Sequence, residues 1–152
     1  EERKNGFYDL MNQLFQKAGI YYLGKFMYPL DWNFFTNVRI GKTSDFEGVK
    51  LRTDPLVEKA ATALGAVPVV VPFSDIYSVL ERGVVDGFSW PTYGPYIFKW
   101  YEVTKYIIRP EFFSSDCIIL VNLSTWNRLP EELLKILIET SMTIFKHFLK
   151  HF

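Results

Sequence analysis

Arg52 stands in the run Lys50-Leu51-Arg52-Thr53, just before Asp54-Pro55. A guanidinium fork at the end of a strand, beside the free N–H groups of a helix start, suits a carboxylate. The competing account of the same residue is a solvent-facing Arg paired with Asp54 or Asp45. Trp90 holds the equivalent place in the stretch GVVDGFSWPTYGP, residues 83–95. An indole can cover the apolar part of a small ligand and donate a hydrogen bond through its N–H. Packing at a sheet end would explain the same ring without a ligand.

Other chemistries are poorly served. Gly87-Phe88-Ser89 begins like a nucleophile elbow, but the stretch reads G-x-S-x-P and lacks the last glycine of that motif. His147 and His151 have the i,i+4 spacing of a helical metal pair, yet no HExxH motif accompanies them. A favourable interaction with a helix C-terminus accounts for them better. No metal site and no cofactor is expected, since GxGxxG and GxxxxGK loops are also missing. Cys117 is the single cysteine, so no intrachain disulfide is available, and its place in CIILV points to packing.

The chain has 152 residues, with 17 basic and 17 acidic side chains. That balance gives no basic face, which argues against nucleic acid and against an anionic membrane surface as partners. Its aromatic content, 14 Phe, 9 Tyr and 4 Trp, exceeds what a core needs and suits a ligand site or interface. No apolar run reaches the roughly 18 residues of a membrane span. The opening Glu1-Glu2-Arg3-Lys4 reads as a processed product or a fragment.

These candidates need elements to position them. Residues 1–18 carry a helical apolar stripe, and IYYLGKFMY reads as a strand. PLDWNFFTN, by contrast, reads as a loop or irregular edge. VKLRT then forms a strand, and Asp54-Pro55 opens a helix with its face at Leu56, Ala60, Ala61 and Leu64. AVPVVV is the next strand, followed by a helix capped by Ser74, and VVDGF is a third strand. This β-α-β-α-β order signifies an α/β fold, an open and mostly parallel sheet covered by helices. A short helix within 96–106, the strands KYIIR and DCIILVN, a turn capped by Ser124 and a long helix from Leu129-Pro130-Glu131-Glu132 complete the chain.

The segments TSDFEGVKLR, ALGAVPVVVPFSDIYSVLERGVVDG, FKWYEVTKYI and VNLSTWNRLPEELLKIL together resemble the TRAP-transporter solute-binding proteins, the DctP-like family. They follow the family's order over about residues 20–145. The resemblance implies a periplasmic protein of type II binding-protein fold that captures a small organic acid and delivers it to the membrane subunits of a TRAP permease, without catalysis. It also implies that Arg52 forms a salt bridge to the ligand carboxylate, that Phe73 of the PFS segment lines the pocket, and that Trp90 touches the ligand. The aromatic turn with Phe88 and Tyr93 would be pocket wall, with Trp32 and Phe34 nearby.

Two departures narrow the ligand. Sialic-acid binders of the family carry Asn where this chain has Trp90, and a second Arg where it has Trp32, so that sugar acid is disfavoured. Relatives that bridge their ligand with a metal carry Glu where this chain has Ser89, which disfavours such a bridge. A monocarboxylate with an apolar or aromatic body is the expected class. Family members are also longer, so residues 1–152 are expected to form one partial domain, mainly the second lobe and the lobe-crossing segments, without the N-terminal lobe portion. Self-association of such a chain would cover its apolar surface. A ligand-sensing domain feeding a membrane receptor would show the same features. An enzyme would need an acid–base pair, for which only Asp86 and Asp116 offer themselves.

Overall fold

The computed structural model describes residues 2–151 and the side chains of all of these but 27, 28 and 145–151. His147 and His151, the expected helical pair, therefore lie outside the described side chains. The chain divides into two compact bodies, one of residues 1–29 and 115–152, the other of Leu30–Ser114.

The second body holds the expected alternation. Strands β2 (Lys50–Thr53), β3 (Val67–Val70) and β4 (Gly87–Pro91) are linked by helices α2 (Glu58–Ala63) and α3 (Ile76–Glu81). β2 lies between β3 and β4 and is parallel to both. Beyond β4 the sheet turns antiparallel, through β1 (Ile20–Thr36) to β5 (Tyr106–Ile107), and β6 (Phe113–Asn122) also pairs with β1. The sheet is therefore mixed where a mostly parallel one was expected.

PLDWNFFTN is the main correction. Its residues 32–36 form a ladder with β4, from Trp32 opposite Pro91 to Thr36 opposite Gly87. Trp32, Phe34 and Phe35 are buried, and so are Asn33 and Thr36. Burial on both faces removes the apolar–polar alternation by which a strand is recognised. Asn33 is tolerated there because its amide donates to the Ile108 carbonyl at 3.0 Å and accepts from the Thr92 hydroxyl at 2.6 Å.

Two apolar clusters cover the faces of this sheet. Trp32, Phe34, Phe46, Val49, Leu51, Val57 and Ala61 form one, with α2. Phe35, Ile76, Leu80, Val85, Phe88 and Trp100 form the other, with α3. The expected boundaries move slightly. Asp54 accepts the Leu56 N–H and its carbonyl accepts those of Val57 and Glu58, so a turn precedes α2. Val57 rather than Leu56 faces inward. A short 3-10 turn (Phe73–Asp75) leads into α3, and no Ser74 side-chain cap is made. Val84 to Asp86 form a turn, and β4 starts only at Gly87. The aromatic turn continues into α4 (Gly94–Ile97) and a 3-10 turn (Trp100–Val103).

The first body contains α1 (Phe7–Gln16), the first part of β1, most of β6, α5 (Leu123–Trp126) and α6 (Glu131–His151). The residue that α1 buries is Asn12, whose amide exchanges hydrogen bonds with the backbone of Tyr22 at 2.9 and 3.0 Å. Asn122, not Ser124, caps α5, accepting the Thr125 N–H. Cys117 is half-buried in β6. None of the described helices is long and apolar enough to cross a membrane.

Candidate ligand-binding site

In β2 the side chains alternate, so Leu51 enters the α2-side cluster while Arg52 faces the other way, beside Phe88 of β4. Arg52 is only 6% exposed. Its Nε donates to the Val71 carbonyl at 3.3 Å, whereas its Nη1 is buried without a partner. The carboxylates that could have paired with it are engaged elsewhere. Asp54 accepts the Leu56 N–H at 2.9 Å, and Asp45 accepts those of Gly41 and Lys42 at 2.9 and 3.1 Å. Among the described residues no ion pair includes Arg52. Burial pulls its guanidinium below the ordinary value, and the Asp54 charge offsets part of that loss. A buried cation in this condition is stabilised by an incoming anion.

Trp90 supplies the surface beside it. The Arg52 guanidinium carbon lies 5.5 Å from the centroid of the Trp90 ring, within cation–π range. Phe73 sits 5.4 Å from the same ring and Trp100 5.3 Å, with Trp32 at 6.0 Å and Phe98 at 6.4 Å. Phe73 is 45% exposed, so it forms an open edge of the group. The Trp90 Nε1 is buried without a hydrogen-bond acceptor. Chemically the arrangement offers an unpaired guanidinium NH2 group beside flat apolar surface, a setting suited to an anion.

The expected site residues thus separate. Arg52, Trp90 and Phe73 come together, whereas Trp32 belongs to the α2-side cluster and meets the Trp90 ring at a centroid distance of 6.0 Å. Phe88 has no exposure and packs between Phe35 at 5.0 Å and Trp100 at 5.2 Å. Phe34 belongs to the α2-side cluster, on the opposite face from Arg52, stacked on Phe112 at 4.2 Å. Both are core residues here rather than pocket wall. Tyr93 stands half-buried at the N-terminal boundary of α4. Phe98 and Trp100 were not singled out from the sequence, although FKWYEVTKYI contains them. Their aromatic types were the only available signal, in a chain full of aromatics.

The VDG motif is explained by backbone geometry. The Asp86 carboxylate accepts the Lys50 N–H at 2.9 Å, its N–H donates to the Lys50 carbonyl and its carbonyl accepts from Asn37, so it ties β4 to β2 and β1. A Cβ at Gly87 would lie 2.3 Å from the Phe35 carbonyl oxygen, which makes glycine obligatory where the strands approach. Ser89 points into the α2-side cluster opposite Phe34, fully buried, its hydroxyl without a partner. Among the described residues no group of three or more His, Cys, Asp or Glu side chains is arranged to hold a metal ion.

A parallel β-α-β-α-β unit with a buried, unpaired Arg at a strand end is an arrangement suited to holding an anion. The sequence comparisons agree: the profile of the bacterial extracellular solute-binding proteins, family 7 (DctP), matches residues 3–146, and the chain belongs to this family. The C4-dicarboxylate-binding periplasmic protein DctP of Rhodobacter capsulatus is 34% identical over 98 residues, covering 63% of this chain and 29% of that protein. Among solved structures, a TRAP periplasmic solute-binding protein of Desulfovibrio salexigens with bound orotic acid is 28% identical. It superimposes with a TM-score of 0.78 over 99% of this chain and 49% of its own. A Haemophilus influenzae counterpart with bound L-gulonate is 29% identical, with a TM-score of 0.74 over 93% of this chain and 48% of its own. The chain thus spans about half the length of the solved structures it matches.

Proposed function

We propose that this chain is the ligand-holding part of an extracytoplasmic, periplasmic solute-binding protein of a TRAP-type transporter. It would contain mainly the second lobe and the lobe-crossing segments. Its solute is an organic acid, which Arg52 holds by the carboxylate for delivery to the membrane subunits of the permease. The observation that carries this reading is the buried Arg52 guanidinium, whose Nη1 has no partner and which lies beside the Trp90 ring. A salt bridge with a carboxylate would satisfy that donor in a setting where charge-assisted hydrogen bonds are strongest.

The solute class is a monocarboxylate with a planar or apolar body. Phe73, Trp90 and Trp100 would cover such a body. Orotate, which the Desulfovibrio protein binds, has this chemistry. The reading involves no catalysis: the Asp86 carboxylate is committed to the Lys50 backbone, and Asp116 pairs with Lys25 at 2.6 Å. Half of each solved relative has no counterpart here. The apolar side chains that α1 and α6 leave exposed, among them Leu10, Leu14, Leu133 and Ile136, are the surface we assign to such a counterpart, or to self-association without it.

The test is a thermal melt against orotate, C4-dicarboxylates, 2-oxoacids and hydrophobic monocarboxylates, with Arg52→Ala alongside. A ligand that binds only the folded state raises stability by about 2.7 kcal/mol at a hundredfold excess over Kd. The expected result is a rise in Tm with planar monocarboxylates that disappears in Arg52→Ala. A rise that survives the substitution would remove Arg52 from the site. No rise with any carboxylate, on a cooperative melt, would refute carboxylate capture by this chain.

A further inference from the structure

We propose that Gly94 is a positioning residue, the one whose missing side chain sets the pose of the Trp90 indole beside Arg52; its role in solute selection rests on the carboxylate-site reading above. A Cβ built on Gly94 would lie 1.8 Å from Cδ1 of Trp90, 2.3 Å from Nε1 and 3.0 Å from Cγ. The five-membered ring of the indole therefore occupies the space where any other residue would carry its first side-chain atom. Gly94 is itself buried, at the first position of α4.

The glycine is not there for its backbone. Six glycines of the chain have positive φ, and Gly94 is not one of them. At an ordinary helical position alanine would by itself be favoured over glycine. The three atoms nearest to where a side chain would begin all belong to the Trp90 ring. That ring cannot yield freely, because Phe73, Trp100 and Phe98 surround it at centroid distances of 5.4, 5.3 and 6.4 Å, and Trp32 stands at 6.0 Å. A close-packed ring moves as a body or forces its neighbours off their rotamers. The Arg52 guanidinium lies 5.5 Å from the ring, so displacing the indole changes the surface beside the unpaired Nη1. Gly94 thereby couples the start of α4 to the width and shape of the site. In this chain the spacing Trp90-Pro91-Thr92-Tyr93-Gly94 brings ring and glycine together one turn apart.

The indole N–H resonances of the 15N-labelled protein provide a readout that needs no ligand. The chain has four tryptophans, and Trp90→Phe assigns the Trp90 signal. In Gly94→Ala the Trp90 resonance is expected to move, while that of Trp126, which stacks on Tyr21 in the other body, keeps its position. Orotate affinity, measured by titration, is expected to fall roughly tenfold, the order of loss expected when a site group is displaced by about an ångström. In the Trp90→Ala background the same Gly94→Ala change is expected to alter affinity less than about twofold, because the obstructing ring, including the Cδ1 that a phenylalanine would retain, is gone. If Gly94→Ala alone does not fold, the Trp90→Ala/Gly94→Ala protein is expected to melt as cooperatively as Trp90→Ala, and its failure to do so would overturn the proposal. An unmoved Trp90 resonance, or an equal affinity loss in both backgrounds, would also overturn it. A moved resonance in a protein that binds no carboxylate would uphold the positioning and overturn the solute reading instead.

Discussion

The two bodies of this chain bury different things. Leu30–Ser114 hides Phe88, Leu51, Ile76, Val57 and Val85 almost completely, while among the described residues of the other body Tyr22 and Leu23 are the most deeply buried large apolar side chains. Around Tyr22 the first body is polar: its hydroxyl donates to Glu2 at 3.0 Å, Lys25 bridges Glu2 and Asp116, and Tyr8 and Tyr21 share a hydrogen bond at 2.8 Å. Its apolar residues on α1, β6 and α6 are instead left outside, including Leu10, Leu14, Leu120, Leu133, Ile136 and Ile144. The contrast separates a region closed around a deep apolar core from one organised around a polar network, and both leave large apolar side chains exposed, in Leu30–Ser114 among them Leu56, Val70 and Tyr96. The candidate site lies wholly in the closed region, as a site requiring fixed geometry should.

Mutations can test that contrast at descending scale. Truncating Arg52 to Ala is expected to weaken carboxylate binding at least about 30-fold, since removing one partner of a buried charged pair costs about 2 kcal/mol or more. Arg52→Lys, which keeps the charge without the fork, should fall between the two in the same titration. Phe88→Ala should lower stability by about 3–5 kcal/mol in chemical denaturation, because Phe35 and Trp100 would border a cavity. A smaller loss would mean that the second body relaxes more than its packing suggests.

In the first body, Tyr22→Phe removes a hydroxyl that donates to a carboxylate and should cost about 1.5–3 kcal/mol. The same network carries a pH signature. Burial, then the bonds to Glu2 and Tyr8, raise the Tyr22 and Tyr21 phenols well above the usual 10.0. Lys25 is raised too, because Asp116 and Glu2 outweigh the cost of its burial. Groups raised in the folded state stabilise fully below their unfolded values, and the benefit fades as pH climbs through and beyond them. The denaturant midpoint should accordingly hold up to about pH 10 and fall progressively above it. Tyr22→Phe should make that fall shallower. The smallest effect is expected for Leu133→Ser with Ile136→Ser, within about 1 kcal/mol of stability for the pair, because both side chains are about half exposed. On a sizing column the pair should nevertheless reduce self-association. A marked loss of stability would show that the α6 face is already covered within the chain.

Much of this was written locally. Turn residues and helical apolar periods dictated the β-α-β-α-β order, and strand direction then placed Arg52 and Trp90 near the carboxyl ends of their strands. These features are read along the chain because each depends on hydrogen bonds and side-chain spacing within a few residues. Three matters were decided only by tertiary packing. Trp32–Thr36 became a central strand because pairing with β4 buried both its faces and erased its alternation. Aromatic type could not distinguish Phe34 and Phe88, which fill the core, from Phe73, which borders the Arg52 group at a solvent-exposed edge. And Gly94, silent in the sequence, acquired a role because the Trp90 ring folded back into the volume its side chain would have filled. Which face a ring meets depends on contacts between residues far apart along the chain, and periodicity carries no information about those.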